Sequence, residues 1–439
     1  MIASASLSTD EAFVAYSYAY PHKTAYRTLQ PAVSLADAWR EENQESLFVY
    51  FHLPFCEYRC GFCNLFTLAR PKQSLVERYL SQIETEAQQV RSVLTNATFA
   101  RVAIGGGTPT FLSAQELYRF LQMASQFIGH APTSLPVSCE ASPATLTGEK
   151  AAMLRDWGVK RLSLGVQAFD DRQTRGLGRP QDLRDVVKAI HIVRDHNFPT
   201  LNLDLIYGSP SQSLKEWHEC VDEAIVHAPE EIYLYPLYVR ELTGLDRISR
   251  AASQDRLMAY RQAREQLLQA GYVQRSLRMF EHPQHQQNSG PVYCCQSDGM
   301  VGIGCGARSY TRALHYSTEF SVGRNGVRSI LLDYLNRNEA DFRVASHGFR
   351  LDLDEQRRRY LILSLLQVEG MPLENYRQRF RSDLWNDYPE LAELINRRLA
   401  EVVDDRLRLT AAGIELSDAI GPWLYSPNVQ QLMSEYELR

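Results

Sequence analysis

His52–Phe66 reads HLPFCEYRCGFCNLF, and its three cysteines, Cys56, Cys60 and Cys63, stand in the spacing C-x3-C-x2-C at the end of an expected strand. Three thiolates on one short loop hold three irons of a cubic 4Fe–4S cluster, which ordinarily takes four cysteines. The fourth iron is left to bind something else. A zinc knuckle is the rival reading. Zinc wants a further Cys or His at tetrahedral spacing, and the following residues Asn64, Leu65 and Phe66 offer none.

Outward from this loop the chain alternates between β-rich runs and amphipathic helices. The expected strands are Leu47–Leu53, Arg101–Ile104, Pro136–Glu140, Arg161–Val166, Thr200–Tyr207 and Glu231–Leu237. Between them lie helical patterns. Leu183, Val186, Val187, Ile190 and Val193 mark one face of the clearest. Others run from about Ser74 to Leu94 and from Ser253 to Ala270, where Gly271 acts as a stop. Alternation of this kind implies an α/β fold with a parallel sheet and helices outside. Six units predict a partial (β/α)6 barrel of the TIM type in preference to a doubly wound sheet.

Polar residues follow the strands in a way that marks one rim, the C-terminal face where barrel chemistry sits. The cysteines follow the first strand, and Gly105, Gly106, Gly107, Thr108 and Pro109 follow the second. Glu140 ends the third, Gln167 ends the fourth, and Asp204 lies in the second half of the fifth. A bare glycine run is a tight strand-to-helix turn. Placed after the cysteine loop, GGGTPT is expected to let backbone N–H and C=O groups approach a ligand closely. Glu140 is either a ligand acceptor or an ordinary strand-end carboxylate. Gln167 and Asp204 bind ligand, or are satisfied inside the mouth. Cys294, Cys295 and Cys305 invite a second-cluster reading, but with Cys139 and Cys220 they are expected as small buried hydrophobes. His282 and His285, in the polar loop EHPQHQQNSG, are expected as solvated residues.

The whole chain sets bounds. At 439 residues it holds a large core and one smaller domain, and 44% apolar with 23% charged residues is ordinary for a globular enzyme. A net charge of −5 leaves no electrostatic footprint for nucleic acid or an anionic membrane. MIASASLSTDEAF lacks a basic start and an apolar run, so secretion is not expected, and no apolar run is long enough to span a bilayer. Eight cysteines, three of them clustered, suit a reducing cytoplasm better than a disulfide framework.

Taken in order, YFHLPFC-x3-C-x2-C, GGGTPT, CEASP, RLSLGVQAFDDRQTRGLGRP, NLDLIYGSP and GIGCGA resemble the HemN/HemW group of radical S-adenosylmethionine (SAM) proteins, oxygen-independent coproporphyrinogen III oxidases and haem chaperones. The resemblance implies a 4Fe–4S cluster on Cys56, Cys60 and Cys63, with SAM on its open iron. It assigns SAM contacts to Tyr50, Phe62, Gly106, Gly107, Thr108 and Glu140. It gives Gln167, Arg179 and Asp204 to a second SAM molecule, so one or two are expected. It implies an N-terminal arm over residues 1–45 (Tyr16, Tyr18, Tyr20, Pro21, Tyr26), a radical SAM core barrel over 46–280, a connecting segment over 281–345, and a mainly helical, winged-helix-like domain over 346–439. Expected partners are a small-molecule or tetrapyrrole-like substrate and an electron donor such as flavodoxin or ferredoxin, with no nucleic acid. Two family markers are missing. Leu65 stands where HemN has a fourth cysteine, and QNSGPVYCC around Asn288–Cys295 stands in place of the HNxxYW haem motif of HemW. The resemblance therefore implies a HemN-like enzyme of unassigned substrate. Coproporphyrinogen oxidation, haem transfer and two-SAM methyl transfer are the alternatives.

Overall fold

The structure, a computed structural model, describes residues 7–8, 10–245, 247, 253–285 and 299–437, the side chains of Ser253 and His285 apart. Cys294, Cys295 and the QNSGPVYCC stretch lie outside the described residues.

Six parallel strands form the centre: β1 (Leu47–Leu53), β2 (Phe99–Gly106), β3 (Val137–Ala141), β4 (Arg161–Gln167), β5 (Thr200–Tyr207) and β6 (Glu231–Pro236). Each pairs with the next in sequence. A doubly wound sheet would reverse its order at a switch point, and this one does not. The winding is that of a (β/α)6 partial barrel. It stays open among the described residues: the free edge of β1 takes Met300–Ile303 in parallel, and that of β6 takes Met279–Glu281 antiparallel.

Helices α1 (Gln73–Val93), α2 (Ala114–Ile128), α3 (Gly148–Trp157), α4 (Leu183–Asp195) and α5 (Leu214–Val226) follow the first five strands, and α6 (Ser253–Gln269) follows the sixth. Capping boxes start two of them, Ser113 with Glu116 on α2 and Ser213 with Glu216 on α5. Strand side chains alternate in direction. In β1, Leu47, Val49 and Phe51 are buried, and Phe51 meets Phe120 and Phe127 of α2 edge-on at 5.5 and 5.9 Å. Phe48 and Tyr50 between them face the other way and remain half-buried.

Beyond Met300–Ile303 the sheet continues through Arg308–Tyr310, Leu314–Ser317 and Val344–Arg350 to the arm strand Arg27–Ser34. The arm is thus stitched to the core by pairing with residues more than 300 positions away, Arg27 against Gly348. The C-terminal region is mainly helical with a three-stranded sheet of Met371–Pro372, Arg406–Leu409 and Ala400–Val403. Asp404 and Asp405 turn its hairpin with φ of 51° and 56°, the two left-handed residues a tight primed turn requires. One buried ion pair ties this region to the barrel. Arg278 donates to both carboxylate oxygens of Asp418 at 2.9 and 2.5 Å, with the side chains 3% and 2% exposed.

Candidate functional site

The cysteine loop leaves β1 through Phe55–Cys56, which pairs with Leu68–Ala69. Gly61 anchors it: its N–H donates to the Leu177 carbonyl at 3.0 Å, and its carbonyl accepts from Leu245 at 2.9 Å. A Cβ at Gly61 would come within 2.8 Å of the Leu177 oxygen, so only glycine fits this close approach. Cys56, Cys60 and Cys63 are partly exposed free thiols. Thr108 Oγ1 donates to Cys56 Sγ at 3.5 Å, and Arg179 Nη1 donates to Cys60 Sγ at 3.2 Å. Burial pushes the Cys56 thiol up to about 12 and raises Cys63, and the neighbouring cysteines add to both. As bare thiols these groups hold their protons. A cationic metal cluster, backed by the Arg179 guanidinium, is the environment that would let them sit there as thiolates. The donor set fits three corners of a 4Fe–4S cluster.

The glycine turn serves the loop differently from the sequence expectation. Its N–H groups are already bonded within the chain: Gly106 to Glu140 Oε2 at 3.1 Å, Gly107 to the Leu53 carbonyl at 2.7 Å, and Thr108 to the Phe55 carbonyl at 2.8 Å. The expectation that these N–H groups meet a ligand is therefore corrected. They clamp the turn against Leu53–Phe55 and leave a ligand the carbonyl side. Gly106, at φ 111°, lies so close to His52 that a Cβ would sit 2.6 Å from the ring.

His52 escaped the sequence reading. It is buried between Tyr50, Phe66 and the glycines. Its Nε2 lies 3.0 Å from the Phe66 carbonyl, so Nε2 carries the proton and Nδ1 accepts from the Tyr50 hydroxyl at 3.2 Å. Burial holds its pKa down at about 4, so the ring stays neutral. Its position in YFHLPFC, four residues before Cys56, was the available signal.

Glu140, the last residue but one of β3, is exposed at the strand's C-terminal end, yet the surrounding protein desolvates its carboxyl. That desolvation lifts its carboxyl to about 7, with Asp204 adding to the rise and Gly106 opposing it. Asp204 accepts from Ser163 at 2.9 Å and from Asn202 at 2.8 Å, and burial raises it too. Gln167 sits in the left-handed region at φ 67°, where the β4–β5 register slips by a bulge.

The structure gathers the three residues assigned to a second SAM around Gly165: it pairs with Asp204 across the β4–β5 ladder, a Cβ on it would lie 2.9 Å from Gln167 Nε2, and its carbonyl accepts from Arg179 at 2.8 Å. Arg179 is buried and donates to Cys60, Ser142, Gly165 and Gln181. Asp204 lies on the neighbouring strand, β5. Phe62 packs with Tyr235 on a small cluster of Leu177, Ile206, Leu237 and Leu245. Cys139, Cys220 and Cys305 are buried, as expected of small hydrophobes.

Comparison with known proteins follows the same lines. Residues 50–224 match the Radical SAM superfamily and residues 351–416 the HemN C-terminal domain. The chain carries a Radical SAM domain and a HemN C-terminal domain. It is 29% identical over 303 residues to a haem chaperone HemW of Synechocystis, covering 66% of this chain and 71% of that one. It is 29% identical over 239 residues to an oxygen-independent coproporphyrinogen III oxidase of Helicobacter pylori, covering 51% of this chain and 52% of the relative. The solved structure of the Escherichia coli coproporphyrinogen III oxidase HemN superposes with a TM-score of 0.80 at 21% identity, covering 94% of this chain and 97% of that one. That likeness bears on the fold. The radical SAM domain begins at Tyr50 and takes in the cysteine loop, the glycine turn, Glu140, Gln167, Arg179 and Asp204. No helix among the described residues is long and apolar enough to cross a membrane.

The N-terminal arm packs against β6 and the strand Arg308–Tyr310, with Tyr16 6.5 Å from Tyr235 and Tyr18 4.9 Å from the Arg308 guanidinium. Tyr16 lies under the Arg278 guanidinium at 3.7 Å, and its ring centroid is 5.0 Å from that of Tyr18. Tyr20 donates to the buried Glu355 and accepts from the Ser426 N–H, which holds the arm to the C-terminal region.

Proposed function

We propose that this chain reductively cleaves SAM at a 4Fe–4S cluster held by Cys56, Cys60 and Cys63, and acts on a tetrapyrrole-like substrate. The observation that carries the reading is the convergence on one loop: Thr108 after β2 and Arg179 after β4 both donate to its cysteine sulfurs. When bound, the cluster supplies the electron that splits the sulfonium of SAM and yields a 5′-deoxyadenosyl radical for hydrogen abstraction.

The chain's own part is positioning and exclusion. Arg179 fixes Cys60 and places a positive charge beside the thiolate. Glu140 accepts a hydrogen bond from the amino group or ribose of SAM. Tyr50, oriented by neutral His52, faces the same cavity, and Phe62 flanks it. Gln167 and Asp204 are candidates for substrate or a second SAM molecule. The arm keeps water and oxygen from the mouth. A flavodoxin or ferredoxin would deliver the electron.

Relatives named as haem chaperones support a tetrapyrrole ligand without supporting turnover. The decisive experiment is anaerobic reconstitution with SAM and dithionite, reading 5′-deoxyadenosine, beside a haem titration of the same preparation. Deoxyadenosine formation supports the enzyme. Tight haem binding without SAM cleavage favours a chaperone.

A further inference from the structure

A wall next to Tyr50 is built by the strand Arg308–Tyr310 and the arm. Tyr310 is buried with Ala19 and Met300, and Phe48 and Tyr50 pack against them, so this wall adjoins the candidate SAM site. Two cations lie here without counterions. The Arg308 guanidinium stands 4.9 Å from the Tyr18 ring and 5.7 Å from Tyr310, and its Nη1 is buried with no hydrogen-bond partner. Lys23 Nζ sits 3.6 Å over the Phe320 ring. Neither forms an ion pair with a carboxylate among the described residues.

Neighbouring groups repeat the pattern. The Tyr26 hydroxyl and both ring nitrogens of His315 are buried without partners, and the His315 ring lies 4.3 Å from Tyr310. Arg308 and Lys23 are half-buried, and unpaired cations and orphaned polar atoms are each costly to enclose, so a site that collects them is shaped for a ligand that brings an anion. Tyr18 reports the local field: against the upward push of burial, Arg308 and Lys23 draw its hydroxyl down to about 8. Tyr16 and Tyr18 are 37% and 41% exposed, so their faces are available to a flat ring.

We propose that Arg308, Lys23 and Tyr18 form a carboxylate-binding subsite that seats an acidic side arm of a planar tetrapyrrole substrate. The subsite rests on the functional reading above and specifies how its substrate is recognised. Arg308 offers its free Nη1 edge to one carboxylate oxygen, and Lys23 and the Tyr18 hydroxyl supply the remaining donors.

The test uses the reconstituted full-length protein and two probes, mesoporphyrin IX and its dimethyl ester, titrated anaerobically by absorbance. The wild type is expected to bind the free acid at least tenfold more tightly than the ester, the scale of one charge-assisted hydrogen bond. Arg308→Gln and Lys23→Gln should each erase most of that preference while leaving ester affinity, cluster absorbance and SAM affinity unchanged; Arg308→Lys should keep part of it. Because acid and ester are compared on one preparation, a partly folded variant does not mimic the result. Equal affinity for acid and ester in the wild type, absence of saturable porphyrin binding, or equal loss for both probes in the variants would overturn the subsite. Loss of SAM affinity with the acid preference intact would assign the anion to the SAM carboxylate and overturn it as well. SAM cleavage is read separately as 5′-deoxyadenosine, so failure of the subsite is distinguishable from failure of the radical SAM reading.

Discussion

Replacing Glu140 by glutamine should make the empty protein more stable above neutral pH while weakening its hold on SAM. In the folded chain the carboxyl is carried from 4.5 to about 7, chiefly by burial. Between those two values the folded state binds the proton that the unfolded state has released, so stability falls as pH rises, and the loss is complete above pH 7. At about 1.36 kcal/mol per pH unit the full cost is about 3.4 kcal/mol. The carboxylate is exposed, however, and water screens most of it, which leaves about 1 kcal/mol. The amide of the Glu140→Gln variant keeps an oxygen for the Gly106 N–H, bonded at 3.1 Å in the native protein, and carries no charge. Denaturant unfolding of the apo protein should therefore show Glu140→Gln stabilised by about 1 kcal/mol at pH 8 and unchanged at pH 4. Equilibrium binding should show SAM affinity reduced by about 1–3 kcal/mol at pH 8, the worth of a charge-assisted hydrogen bond. A variant destabilised at pH 8, or one that binds SAM as tightly as wild type with its cluster loaded, refutes the role given to this carboxylate.

Other outcomes follow from single contacts. Asp418→Ala strands the buried Arg278 charge and should cost about 3–5 kcal/mol in denaturant unfolding; a loss under about 1 kcal/mol would show that the pair does not tie the C-terminal region to the barrel. Gly61→Ala drives a Cβ into the Leu177 carbonyl at 2.8 Å and should lower iron retained after reconstitution without unfolding the chain, checked by iron analysis beside circular dichroism. Coproporphyrinogen III should not be decarboxylated over many turnovers, since Leu65 stands where HemN carries its fourth cysteine. Porphyrin fluorescence after oxidation reads this, and accumulating protoporphyrin would contradict it.

What the sequence made legible was local. Leu47–Leu53 and Thr200–Tyr207 were placed to the residue because buried parallel strands are apolar runs bounded by turn residues. The other four differ by one or two residues at their ends, where Gly105, Gly106 and Gln167 extend pairing into residues of poor strand propensity. The cysteine loop was equally plain, since its ligands sit within eight positions. The arm strand Arg27–Ser34 was not, because RTLQPAVS is polar and holds Pro31. Such a strand survives only at a sheet edge, where the register slips between Thr28 and Val33 and one side needs no partner. The Arg278–Asp418 pair and the Arg308–Lys23–Tyr18 cluster join positions 140 to 290 residues apart, and no spacing rule reaches that far. The glycine turn shows the limit from the other side. Its composition announced a close approach, but whether a ligand or the chain's own Leu53 and Phe55 would take its N–H groups depended on tertiary contact.

The central claim is that Cys56, Cys60 and Cys63 hold a cluster that cleaves SAM. Its most direct test is anaerobic reconstitution of the wild type and the three cysteine-to-alanine variants, with iron and 5′-deoxyadenosine measured after SAM and dithionite are added. The wild type should carry about four irons per chain and form deoxyadenosine, and each variant should lose both while Cys305→Ala keeps them. Deoxyadenosine formed by any of the three variants, or by a zinc-loaded protein free of iron, would contradict the account.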